Sequence, residues 1–158
     1  METTIENIAA RILAGKRKRF FWCKPLFSRH ASVFESDLTA VENELGCQLP
    51  KDLRSWLLIA GFGDVNDKLS FRREWFNVID RGQLKGHVYF AQDILGNFYS
   101  FSTADGAIHF VSRSAPEYAE LASGFLAFLE EFEMRGFILE EWTDGLSTLP
   151  YEWDISET

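Results

Sequence analysis

Between His87 and Val111 the apolar residues leave helical spacing and alternate one by one, and this change of period constrains the fold more than any other feature of the chain. Residues 87–91, 98–102 and 107–111 are rich in β-branched and aromatic side chains. Gly96-Asn97 and Asp105-Gly106 stand between them and supply residues that tolerate the positive φ of tight turns. The spacing predicts an antiparallel meander. Tyr99 and Phe101 share one face of their strand, and Ile108 and Phe110 share one face of the next, as in a sheet with one side in a core.

Helical period brackets this region. Thr3 with Glu6 matches a capping box ahead of Ile5, Ile8 and Ile12, so a first helix is expected to end near Gly15. Asp37 is expected to cap a second helix with Leu38, Val41 and Leu45 on one face and Gly46 in the left-handed terminal position. Pro50 suits the first turn of a third, in which Leu53, Trp56, Leu57 and Ala60 form a stripe that Gly61 stops. Residues 61–64 read as a flexible turn, followed by a polar stretch through Lys68. A last helix is expected from Ser123, with Phe125, Phe128, Leu129 and Phe132 on one face, ending at Gly136. The tail from Phe137 has no clear period. The order predicted is helices, a meander, then a helix: an α+β fold in which an antiparallel β-meander sheet packs with helices. No repeat or linker divides the 158 residues. They read as a single domain with an N-terminal helix and basic-aromatic segment (1–32), a core (33–135) and an acidic aromatic tail (136–158).

A chain of this length buries roughly 70% of the surface it exposes when extended, enough for one sizeable core. With 15 Phe, 5 Trp and 4 Tyr that core is ring-rich, and any ring left outside it is a candidate contact for a partner. No apolar stretch approaches the roughly 20 residues of a membrane span. Glu2 and Glu6 stand where an export signal carries positive charge, and Cys23 and Cys47 form neither a CxxC pair nor a metal-ligand spacing with histidine. The expectation is a cytoplasmic protein with reduced thiols, no metal and no cofactor.

Charge is unevenly placed. From Glu117 to Thr158 there are 11 acids and one base, Arg135, so that segment carries −10 and the rest +2 of a net −8. Lys16 to Arg19 form a basic run leading into Phe20, Phe21 and Trp22. In a chain of pI about 4.9 this run reads as a solvated connection rather than a nucleic-acid site, because the overall negative field repels phosphate. The acid pole suits attraction of a basic protein, and equally it suits solubility alone.

Residues 42–50 (Glu-Asn-Glu-Leu-Gly-Cys-Gln-Leu-Pro), then Asp52-Leu53-Arg54 and the turn at Gly61, resemble the "E..LG..LP.dlr.ll...G" opening of the SUKH superfamily, which includes the yeast Smi/Knr cell-wall regulators. Ala91 to Tyr99 resembles that family's "A.D..GN.y" strand and turn. Gly106 fits its next turn, and Phe125 to Phe132 its "SF.eFL" helix. The ordered set spans roughly residues 33 to 133. The resemblance implies a mixed α+β fold and, as for many bacterial members, an immunity protein that neutralises a secreted toxin, often a nuclease. Phe62, where a second glycine is common, and the insertion from Lys16 to Phe27 depart from the pattern, so the partner's identity does not carry over.

Nothing in the residues requires catalysis. His30, His87 and His109 lie far apart in sequence, and no Ser or Cys stands in a nucleophile elbow. A strand histidine is usually a satisfied half-buried side chain. Asp93 and Asp105 each begin a turn and suit acceptance of backbone N–H bonds. Gly61-Phe62-Gly63 lacks the length and the Lys-Ser/Thr of a phosphate loop. The expectation is therefore a non-catalytic inhibitor that covers the active site of a toxin with a basic surface, with no nucleic-acid or membrane partner. The expected contact residues are Glu140, Glu141, Trp142, Asp144, Tyr151, Trp153 and Asp154 in the tail, with Asp64 and Asp67 after the third helix. The alternative for Trp142 and Trp153 is closure of the core, and the alternative for the whole protein is an interaction scaffold in a regulatory assembly.

Overall fold

The computed structural model describes residues 3–19 and 22–151. Helix α1 (Ile5–Ala14) starts at Thr4, whose hydroxyl accepts from the Asn7 N–H at 3.2 Å, so the cap lies one residue after the expected Thr3. Gly15 leads into β1 (Lys16–Arg19), which pairs antiparallel with β2 (Trp22–Pro25). The basic run, expected as a solvated connection, is a strand of a two-stranded ribbon in which Lys16 and all of β2 are exposed. Strand β3 (Phe27–Ala31) precedes α2 (Glu35–Leu45) and α3 (Lys51–Ala60). Asp37 does not cap α2. Phe34 holds that place, and Asp37 three residues on accepts the Phe34 N–H at 2.8 Å.

Gly46 has the expected left-handed φ of 73°, and the α3 stripe of Leu53, Trp56, Leu57 and Ala60 is buried. Gly61, at φ 84°, stops α3 where a Cβ would come within 2.4 Å of the Ala31 carbonyl oxygen, so the chain can turn against β3 only without a side chain. The flexible turn expected after it is instead paired strand: Phe62–Val65 is β4 and Leu69–Phe71 is β5, joined as a hairpin. A short 3₁₀ turn at Arg73–Trp75 leads to β6 (Asn77–Val78). Strands β7 (His87–Asp93), β8 (Phe98–Ser102) and β9 (Ile108–Val111) form the expected meander. Strand β10 (Glu117–Ala122) extends it. Helix α4 (Phe125–Met134) is capped by Gly124 rather than Ser123, and α5 (Glu140–Asp144) and β11 (Leu149–Pro150) complete the described chain.

All pairings are antiparallel, in the order β11-β10-β9-β8-β7-β5-β4-β3, with β6 also alongside β7. Strands therefore precede and separate the helices, and the observed chain order differs from the one predicted. The architecture is α+β in a single domain, as expected. Trp56 of α3 meets Phe27, Phe71 and Phe125, and Phe90 and Tyr99 of the sheet pack on Phe128 of α4. Fully burying rings of this size stabilises the fold by about 1.5–3 kcal/mol each. A smaller apolar cluster of Ile79, Leu84, Val111 and Tyr151 gathers Tyr89, Phe98 and Tyr118 around it.

Candidate functional site

Two turns meet at one end of the sheet. The first is Val65–Lys68, where Asn66 and Asp67 both have φ 53° and the Lys68 N–H donates to the Val65 carbonyl at 2.9 Å. Two consecutive left-handed residues match the twist of the flanking strands, and Asn and Asp tolerate that conformation. Each residue of this turn ties down a different segment. The Asn66 side-chain amide donates to the Phe137 carbonyl at 2.8 Å and its oxygen accepts from Arg17 of β1 at 3.2 Å. Asp67 pairs with the same Arg17, and Lys68 Nζ lies 2.6 Å from Glu140 Oε1. Asp64 in the strand before it is partnered by His30 at 3.0 Å and by the Ser70 hydroxyl.

The second turn is Asp93–Asn97. Asp93 Oδ1 accepts the N–H groups of Leu95 and Asn97 at 3.0 Å, while Oδ2 accepts from the Asn97 amide at 3.1 Å and the Tyr99 hydroxyl at 2.9 Å. Gly96 takes φ 86° with the Arg113 guanidinium 2.9 Å from where a Cβ would be. The structural role expected of Asp93 is what its carboxylate performs. This locked turn carries Ile94 and Leu95 outward, 62% and 65% exposed. The Ile94 N–H donates to the Lys68 carbonyl at 3.1 Å, which joins the two turns. Ile94 and Leu95 are not among the contacts expected from sequence. The signal that could have marked them is two aliphatic residues at the centre of a turn, where Gly, Pro, Asn, Asp and Ser are usual.

Helix α5 lies beside them. Ile94, Leu95, Leu139 and Thr143, with Lys68 and Glu140, line a recess of about 10 Å³, room for about one water. The hydrogen bond from Lys68 is the main cause holding the Glu140 carboxyl below the ordinary glutamate range. That pair is neutral overall, as is Asp67 with Arg17. Glu141 and Asp144 are exposed, and among the described residues neither has a cation at ion-pair distance. The result is a small aliphatic ridge beside a short helix that carries two exposed carboxylates.

The expected tail contacts divide. Asp64, Asp67 and Glu140 are tied down at or beside the first turn, while Glu141 and Asp144 are exposed on α5. Trp142 is only 7% exposed, with its ring stacked on Phe128 at 5.7 Å and the Arg135 guanidinium 5.0 Å from its centroid, so it holds α5 to the core instead of offering a contact face. Tyr151 is 1% exposed in the second cluster, its hydroxyl donating to the Arg81 carbonyl at 3.2 Å. Both rings find complementary apolar partners inside, which for Trp142 is the core-closing alternative. Trp153 and Asp154 lie outside the described residues.

The meander also brings His87 and His109 together, with ring centroids 4.6 Å apart, and places His87 Nδ1 3.4 Å from the Ser100 hydroxyl. Burial, reinforced by His109, pushes the His87 pKa down to about 4, so the ring is neutral near pH 7. Ser100 is fully buried, which closes its hydroxyl to a substrate. Among the described residues no group of three or more His, Cys, Asp or Glu side chains is placed to hold a metal ion, and no helix is long and apolar enough to cross a membrane.

A family model described as the SMI1 / KNR4 family (SUKH-1) matches residues 33–131. That range contains both turns and stops before α5. No curated protein and no solved structure matches the chain.

Proposed function

The chain belongs to the SMI1 / KNR4 family (SUKH-1), which includes toxin immunity proteins, and from that premise we infer that it binds a cognate secreted toxin and neutralises it without catalysis. The observation that carries this reading is the exposed Ile94–Leu95 ridge, held out by a turn that Asp93 locks, with α5 alongside it carrying the exposed carboxylates of Glu141 and Asp144. An exposed apolar pair on a rigid support loses little conformational entropy on docking, and desolvating it supplies affinity. The carboxylates steer a basic surface toward it and suppress wrong partners. A toxin whose substrate groove is basic, as in a nuclease, is matched by this arrangement and is silenced by occlusion. The scaffold Asp93, Gly96, Asn97 and Tyr99 falls on the fixed letters of the "A.D..GN.y" pattern, while Ile94 and Leu95 occupy its two open positions. A fixed turn with a free tip suits a set of proteins that each meet a different partner. The protein is read as acting in the cytoplasm.

Co-expression with the toxin domain encoded by the neighbouring gene tests this. Rescued growth and a co-purified complex that weakens as salt rises are expected. A toxin domain that neither binds nor is neutralised overturns the reading, and capture of housekeeping enzymes without rescue would favour a regulatory scaffold.

A further inference from the structure

Residues 16–25 carry five cations and no acid in a chain of net charge −8, and they lie outside the residues that the family model matches. We propose that the β1–β2 ribbon is a second docking arm, whose occupant is a carboxylate-bearing surface of the same partner protein that covers Ile94 and Leu95. The proposal rests on the protein-binding reading and adds the chemistry of a second contact.

The arm is fixed at its base. The Leu26 N–H donates to the Gly15 carbonyl at 2.9 Å, closing the open end of the hairpin, and Leu26 itself is buried. Arg17 clasps Asn66 and Asp67. Beside that clamp Lys16 and every residue from Trp22 to Pro25 are exposed, the Trp22 indole at 55%. Among the described residues Lys16 and Lys24 have no carboxylate at ion-pair distance. Register pairs Arg17 with Lys24 and Lys16 with Pro25, so cations leave the ribbon on both faces. A two-stranded ribbon is marginal by itself, and a partner laid along it completes it.

Position and net charge decide between a protein and a nucleic acid. Arg17 holds Asp67, while the next residue, Lys68, holds Glu140 and the Ile94 N–H; consecutive Cα atoms are about 3.8 Å apart. The arm therefore rises beside the turn that holds Glu140 and Ile94. A phosphate backbone laid along the arm is repelled by the remainder of a chain whose net charge is −8 even with the five cations counted. A protein surface can place its carboxylates against the arm and its cations against the carboxylates of α5. An exposed tryptophan beside cations is also the composition of a protein hot spot. The positive arm and the carboxylates of α5, held to one turn by Arg17 and Lys68, fix the orientation in which such a partner docks.

The test compares the full chain with Trp22→Ala, with Lys16→Glu/Lys24→Glu and with Glu141→Lys/Asp144→Lys, each checked for unchanged circular dichroism and melting. Binding to the neighbour-encoded toxin domain is measured across salt. Both arm variants are expected to weaken binding by about tenfold or more, and the lysine pair to flatten its salt dependence. Arm variants that bind like the natural chain while Glu141→Lys/Asp144→Lys loses binding would overturn the arm and leave the docking reading intact. Absence of binding by the natural chain would overturn both. Single-stranded and duplex oligonucleotides form a separate arm of the experiment: binding to either that the lysine variants abolish would replace the protein occupant with a nucleic acid.

Discussion

The Tyr99 hydroxyl donates to the Asp93 carboxylate across 2.9 Å from a side chain that is fully buried, and this one contact fastens an exposed turn to the floor of the core. Burial first, and the Asp93 charge second, hold the Tyr99 pKa well above the ordinary tyrosine range, so the hydroxyl remains a donor at any physiological pH. Asp93→Ala strands that donor together with the Leu95 and Asn97 N–H groups. A loss of about 2–3 kcal/mol is expected, against about 1 kcal/mol for Tyr99→Phe, where the carboxylate keeps its other donors. Urea midpoints of the two variants check this. Equal losses would show that the turn draws nothing from the three bonds that survive Tyr99→Phe.

The ridge itself separates binding from stability. Ile94 and Leu95 are more than half exposed, so Ile94→Asp or Leu95→Asp is expected to leave stability within about 0.5 kcal/mol of the natural chain. Affinity for the toxin domain is expected to drop about tenfold or more, because the new carboxylate must be desolvated where an aliphatic anchor was. Calorimetric titration beside a melting curve reads both quantities. Unchanged affinity in both variants would remove the ridge from the interface.

Legibility in the sequence depended on whether local chemistry was sufficient. The meander was legible because alternation, Gly96 and Gly106 all point the same way, and both glycines take the positive φ anticipated. The hairpin of β4 and β5 was not legible, because Gly61 and Gly63 resemble punctuation. Gly63 is a strand residue whose Cβ would strike the Ser28 carbonyl oxygen at 2.3 Å, and only the long-range pairing with β3 reveals that. The helix starts missed by one residue: Thr3 and Thr4 offer equivalent hydroxyls, and α4 starts from Gly124 without any side-chain cap for a serine to announce. For the candidate site, the acids Asp67, Glu140, Glu141 and Asp144 were legible as charges. The docking of α5 beside the first turn was not, since it is made by Asn66 and Lys68 reaching across 71 and 72 residues to Phe137 and Glu140. The two readings of Trp142, contact or core, stayed open because composition cannot say whether Phe128 lies beneath it.

His87 gives the fold an acid-sensitive step. Its pKa falls from the ordinary 6.5 to about 4 on folding, through burial foremost and the neighbouring His109 next, with Asp105 opposing. Above pH 6.5 the ring is neutral in both states. Between pH 6.5 and about 4 the unfolded chain takes up a proton that the folded chain refuses, so stability falls as pH is lowered through that window. The ring is only half-buried, and solvent screening holds the effect to about 1 kcal/mol. Glu140 acts in a separate range: its lowered pKa contributes stability that is present above the ordinary glutamate value and is lost as pH falls through the folded one. His87→Gln keeps a hydrogen-bonding group beside Ser100 without the titration. Its urea midpoint is expected to be flatter than that of the natural chain from pH 6.5 to 4 and parallel to it below; parallel curves throughout would assign the slope to another group.

Trp56 offers the sharpest check on how the core supports the site. Its ring meets Phe27 of β3 at 5.7 Å, Phe71 of β5 at 5.6 Å and Phe125 of α4 at 6.5 Å, so one side chain joins α3 to both strands flanking β4 and to the last long helix. Its indole N–H is buried and meets no acceptor among the described residues. Trp56→Ala opens a cavity beneath the β4–β5 hairpin and is expected to cost about 3–5 kcal/mol. Trp56→Phe keeps most of the ring contact and also removes the unpaired donor, whose desolvation costs about 1–3 kcal/mol, so the two effects partly cancel and a loss near 1 kcal/mol is expected. Because Trp56 lies in the core and touches neither Ile94 nor Glu141, affinity for the toxin domain, corrected for the folded fraction, is expected to stay unchanged in Trp56→Phe. A fall in that corrected affinity would mean that the Asn66–Lys68 turn shifts with the packing of α3, and that the interface depends on core geometry as well as on the residues it displays.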